Sequence, residues 1–173
     1  ELTDYLGSIG MGFSGGLNAY TSFDETVYML KSATDDKVQL KKSIFILSEW
    51  ADKLSFDHDE IEKERGVIIE EWRGGRGADE RIRNKQNEVV LKDSKYAKRS
   101  PIGSYEIIST FKPEAIKRFY KDWYRPDLQA VVVVGDIDVN EVESYIKEYF
   151  DNIPARKAPR ERVIEAVPDH KER

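Results

Sequence analysis

The sequence predicts an α+β domain in which helices pack on one face of a mainly antiparallel sheet. Three patterns point to it. Apolar residues recur at helical spacing in several separate stretches after residue 37. Two neighbouring runs, residues 17–22 and 26–32, are rich in β-branched and aromatic residues, with only Phe23, Asp24 and Glu25 between them, as a hairpin requires. Strand and helix patterns do not alternate as they would in a doubly wound α/β fold.

The elements follow in order. Residues 1–9 read as a short helix with Leu2, Tyr5, Leu6 and Ile9 on one side. Gly10, Gly12, Gly15 and Gly16 then form a loop. No strand precedes it and no Lys-Ser or Lys-Thr follows, so it is not a phosphate-binding loop. After the hairpin, Asp35 or Asp36 caps a helix over residues 37–54, whose apolar face is Leu40, Ile44, Leu47, Ala51 and Leu54. The next helix, residues 56–73, starts on Asp57 or Asp59. It carries Ile61, Ile68 and Trp72 as a buried stripe, widened by Val67 and Ile69. Gly74, Gly75 and Gly77 break or bend it, and helical pattern resumes over residues 78–91.

Ser100, Pro101 and Gly103 mark a loop before a short helix at residues 105–109. Pro113 fits the first turn of a helix reaching Trp123, with Ile116, Phe119, Tyr120 and Trp123 facing the core. Four consecutive valines within residues 129–135 read as a strand buried on both faces or lying in a sheet centre. Asp138 and Glu141 form a capping box for a last helix that turns Val142, Tyr145, Ile146 and Tyr149 or Phe150 inward and ends before Pro154. The domain is expected over residues 1–153. Residues 154–173, charged and proline-containing, are expected to be a linker and the start of a following domain. Three strands are few for this length, and Glu1 opens inside a helical pattern. The chain is therefore expected to be a fragment truncated at its N-terminus.

Composition narrows the function. With 173 residues and 39% apolar content, the chain can build a core. A net charge of −5 argues against nucleic acid as the main partner, and the lone RGGRG string does not reverse that. No apolar run reaches the length of a membrane span. With no cysteine, thiol nucleophiles and thiolate metal sites are excluded. No Gly-x-Ser-x-Gly elbow occurs. His58 and His170 have no histidine partner at helical spacing and read as surface residues.

The stretch that remains is the acidic helix over residues 56–73. Glu64 and Glu71 lie two turns apart and share one face, while Glu70 points about 100° away from Glu71. Two readings stand side by side: a solvated acidic face, or Glu71 as a metal ligand with Glu64 as its supporting carboxylate.

Three segments together resemble one family. They are GGLNAYTSFDETVYMLKS at residues 15–32, IEKERGVIIEEWR at 61–73, and SPIGSYEIISTFKPEAIKRFYKDWYRPDLQAVVVVGDID at 100–138. In this order they are similar to the pitrilysin/insulinase zinc metallopeptidases, the inverzincins, to which mitochondrial processing peptidase belongs. The resemblance covers nearly the whole chain and implies a half-domain of the pitrilysin/processing-peptidase type. The family's hallmark is H-x-x-E-H followed by a glutamate on a second helix. Its two histidines and the distal glutamate hold zinc, and the glutamate within the hallmark is the general base.

By this resemblance Glu71 is the distal zinc ligand and Glu64, grouped with the catalytic residues, is the accessory carboxylate that supports the site. Asn18, Ala19 and Tyr20 match the edge strand on which a substrate peptide is held as an added strand. H-x-x-E-H itself is absent from the 173 residues. Zn2+ is thus expected in the intact parent peptidase, a metalloendopeptidase acting on extended peptides, and not on this chain alone, which is expected to be inactive. The expected partners are a peptide substrate and the remaining half of the parent, with self-association of the fragment through exposed edges. The alternative is a non-catalytic relative with a structural or substrate-holding role.

Overall fold

The computed structural model describes Tyr5, Gly7 and residues 16–169. The predicted helix at residues 1–9 and most of the glycine loop lie outside these residues, though Tyr5 and Gly7 are themselves helical. The chain divides into two compact units. One takes in Thr26–Ser55 and Arg118–Arg160 with the chain up to Thr21, and the other Ser22–Glu25, Phe56–Lys117 and Glu161–Arg173. The class is α+β: helices predominate, and the described strands form one two-stranded antiparallel sheet.

In the first unit, β1 (Leu17–Thr21) and β2 (Thr26–Leu30) pair with Leu17 opposite Leu30 and Thr21 opposite Thr26. The hairpin packs against α1 (Lys37–Asp52), which starts where Asp36 accepts hydrogen bonds from the amides of Val38 and Gln39 at 2.9 and 3.0 Å. That contact satisfies two of the donors a helix start leaves unpaired. Helix α1 is buried on two faces. Ile46, 2% exposed, meets Leu17, Leu30 and Trp50. On the opposite side Leu40 and Ile44 meet Val142, Tyr145 and Ile146 of α6 (Val139–Phe150). Full burial of each such side chain stabilises the fold by roughly 1.5–3 kcal/mol.

The single stripe expected for α1 needs correction. Ile46 faces the hairpin, and Leu54, beyond the helix end, is exposed. Ser43 and Ser48 are buried in α1 because their hydroxyls donate to the main-chain oxygens of Gln39 and Phe45. At α6 half of the expected capping box forms. Asp138 accepts from the amides of Asn140 and Glu141. The Glu141 carboxylate instead takes the Tyr145 hydroxyl at 2.7 Å and Lys37 at 3.0 Å, fastening α6 to α1.

The valine run is the largest departure. Residues 129–135 pair with no strand among the described residues. Val133 packs against the α1–α6 core, whereas Val132 and Val134 are 80% and 91% exposed. The run has the alternation of a strand with one face covered, not two. Within α5 (Pro113–Trp123), Tyr120 is buried and its hydroxyl donates to Trp50 O at 2.7 Å, while Phe119, expected inward, is 56% exposed. Residues 155–169 contain no helix or strand, and Arg156 pairs with Asp52 at 2.7 Å.

The second unit is built on α2 (His58–Gly74), α3 (Ala78–Val90) and the short α4 (Tyr105–Thr110). Asp57 caps α2, and the run of glycines breaks the helix at Gly75 instead of bending it. No residue of α2 is fully buried, and Val67 is 57% exposed. Arg65 ties the helix to α4 and to the residue that follows α4. That guanidinium donates to the main-chain oxygens of Ile108 and Phe111 and stacks 3.8 Å above the Phe111 ring. No helix among the described residues is long and apolar enough to cross a membrane.

Candidate functional site

Helix α2 displays Glu60, Glu62, Glu64, Glu70 and Glu71 to solvent. Three of them serve its own surface. Glu60 pairs with Lys63 at 2.5 Å, Glu62 with Arg65 at 2.9 Å and Glu70 with Arg73 at 2.5 Å, each three residues along the helix. The Arg65 guanidinium beside Glu62 holds that carboxyl below the usual range. Glu64 and Glu71 differ: neither side chain has a hydrogen-bonded or ion-paired partner among the described residues. The helix places them on one face, about 10 Å apart along its axis.

Glu71 lines a cleft of about 600 Å³. Trp72 and Arg76 continue that wall from the end of α2, and Arg81, Asn84 and Asn87 face it from α3. Trp72 is fixed by Tyr105, their ring centroids 5.4 Å apart, and Arg76 lies 4.4 Å over its indole. The RGGRG string marks no nucleic-acid site; the helix break folds its Arg76 back onto Trp72, a contact that helical spacing does not signal once the helix has ended at Gly74.

On the hairpin, Asn18, Ala19 and Tyr20 are exposed. Lys31 N donates to Gly16 O at 2.7 Å and Ser22 N to Glu25 O at 2.9 Å. In an antiparallel ladder, hydrogen-bonded pairs alternate with non-bonded ones. With the register between those two pairs, the main-chain groups of Asn18 and Tyr20 face β2, and those of Ala19 face the opposite edge. The Ala19 amide meets the Asn18 side-chain oxygen at 2.9 Å. Of the three predicted residues, Ala19 alone turns its backbone to that edge.

His58 sits exposed at the start of α2, 3.6 Å from Asp59, and His170 lies outside the described residues. No cluster of three or more His, Cys, Asp or Glu side chains suited to a metal occurs among the described residues. A catalytic zinc takes about three protein donors. Glu71 amounts to one, so the described residues by themselves do not fit the metal.

Residues 1–94 match the family described as insulinase (peptidase family M16), and residues 110–173 match the peptidase M16 inactive domain. The chain is 38% identical over 156 residues to the probable zinc protease PqqL of Escherichia coli, covering 90% of this chain and 17% of that protein. It is 35% identical over 173 residues to the zinc protease PQQL-like of Arabidopsis thaliana, covering 99% and 18%. The crystal structure of the first half of the periplasmic protease PqqL from Escherichia coli superposes with a TM-score of 0.89 at 36% identity, covering 99% of this chain and 36% of that one. The chain thus spans under a fifth of the length of these curated relatives.

Proposed function

The chain belongs to the insulinase family, peptidase family M16, and from that premise we propose that it is part of a zinc-dependent metalloendopeptidase that hydrolyses extended peptides. Glu71 is its zinc ligand and Glu64 the carboxylate that supports the site from the same helix face. Asn18, Ala19 and Tyr20 hold the substrate as an added strand, with Ala19 contributing the main-chain hydrogen bonds and its neighbours the side chains. The remaining metal donors come from the rest of the parent protein, so the 173-residue chain alone is inactive.

One observation carries the reading. Every other glutamate of α2 is engaged in an ion pair, and the two without one among the described residues are the two the family pattern picks out. Exposed carboxylates on one helical face are what a metal supplied from elsewhere could reach.

The test is zinc content and peptide hydrolysis in the intact protein that carries this sequence. Glu71→Gln is expected to lose both, and Glu70→Gln, about 100° around the helix, neither. Full zinc retention and turnover in the Glu71 variant would sink the assignment. The match of residues 110–173 to the M16 inactive domain favours a second reading, a non-catalytic subunit that holds substrate. An intact wild-type protein without zinc or hydrolysis would favour it. The exposed Ile82, Val89, Val90, Val132 and Val134 support self-association of the isolated chain. Sedimentation giving only monomer at high concentration would contradict that.

A further inference from the structure

Two cations in the cleft beside Glu71 have no role in holding a metal. The Arg76 guanidinium rests on Trp72, and Arg81 donates to Arg76 O at 3.2 Å. Both arginines are exposed, and neither has a carboxylate partner among the described residues. Arg83, nearby on α3, is neutralised by Glu80. The side-chain amides of Asn84 and Asn87 add donors that have no partner among the described residues. In a chain of net charge −5, this leaves a local excess of positive charge and N–H donors beside the proposed zinc ligand.

We propose that this cleft is a substrate subsite for a carboxylate of the bound peptide, recognised by Arg76 and Arg81. A guanidinium presents its donors in a planar fork that matches a carboxylate. Here stacking and a main-chain hydrogen bond hold the two forks in place, which lowers the entropy lost on binding. Trp72 offers an apolar wall for the methylenes of a glutamate. The carboxylate of Glu71 in the cleft wall, unpaired among the described residues, disfavours a polyanion such as RNA, which would bring several phosphates to it.

The proposal rests on the peptidase reading for its meaning, but binding tests it without turnover. An acetylated, amidated extended peptide with one Glu, and its Gln counterpart, are titrated into the chain and followed by anisotropy of a label on the peptide. The Glu peptide is expected to bind about fivefold tighter at low salt. The ratio falls to one in Arg76→Gln and in Arg81→Gln, with helicity by circular dichroism unchanged. A neutral peptide with a free C-terminus, preferred about fivefold over its amide, identifies the terminal carboxylate as the source. Without that preference, a Glu/Gln ratio assigns the side chain.

Equal affinity of all these peptides for the wild type overturns the proposal, as does a ratio that survives in both variants. Tighter binding of a single-stranded oligouridylate than of any peptide overturns it in favour of nucleic acid. Loss of the proposed zinc role alone is distinguishable. In that case the intact protein keeps its zinc in the Glu71→Gln form, while the Glu/Gln ratio of the chain persists.

Discussion

Replacing Arg65 by Ala removes the clamp that fixes α2 on α4. Arg65 donates to two main-chain oxygens, those of Ile108 and Phe111, and stacks on the Phe111 ring. Its side chain is only 12% exposed, and Ile108 is buried. A hydrogen bond from a charged donor contributes about 1.5 kcal/mol at the low end of its range, so the two together contribute about 3 kcal/mol. The stacking adds about 0.5 kcal/mol, and the half-exposed pair with Glu62 a few tenths more. Partial hydration of the vacated carbonyls offsets some of this, which leaves a loss of about 3 kcal/mol. For a chain of this size that lowers Tm by roughly 6–12 °C. Thermal unfolding followed by far-ultraviolet circular dichroism measures it. Arg65→Lys keeps the charge but cannot span both oxygens, so about half the loss is expected. Arg73→Ala, which breaks only the exposed pair with Glu70, sets the baseline at under about 0.5 kcal/mol. An Arg65→Ala protein as stable as the Arg73→Ala protein would refute the clamp.

Three further outcomes follow from the same structure. Burial pushes the Tyr120 hydroxyl from its ordinary 10.0 up to about 12. A raised folded-state value stabilises the fold fully below pH 10, and that stability is lost as pH rises from about 10 to 12. Tyr120→Phe should therefore be weaker by about 1 kcal/mol at neutral pH through the lost bond to Trp50 O, yet flatter across that alkaline window in denaturant titrations. Ala19→Pro removes an N–H directed away from β2, so hairpin stability should change little while peptide cleavage by the intact protein falls; unchanged turnover would remove Ala19 from the substrate edge. Calorimetric titration of the isolated chain with zinc should show no one-to-one site of sub-micromolar affinity at neutral pH, since one glutamate cannot hold the metal.

Much of the fold was legible because helix ends and apolar periods are local. The caps at Asp36, Asp57 and Asp138, the break after Gly74 and the hairpin around Phe23–Glu25 all depend on residues within a few positions of each other. What failed depends on distant partners. Whether Val132 and Val134 are covered is decided by a neighbouring strand, and the run itself reads the same with or without one. Ile46 escaped the apolar pattern because a helix flanked on two sides buries a face that its main stripe does not mark. The candidate site shows the same division. Glu64 and Glu71 are selected by spacing and by the family pattern. Their lack of ion-pair partners among the described residues, unlike Glu60, Glu62 and Glu70, could not be read from a helix with bases at several reachable positions.

The family, the α+β class, the helix starts and the helix face that carries the two carboxylates come from the sequence alone. Each of these is written in residue type and spacing along one chain. Tertiary structure alone decided that α1 is buried on both sides, that Arg65 ties α2 to α4, and that Arg76 and Arg81 gather in a cleft beside Glu71. Those outcomes turn on which long side chain reaches which distant carbonyl or ring. A flexible arginine has many partners within reach in the sequence and settles on one only when packing brings it near.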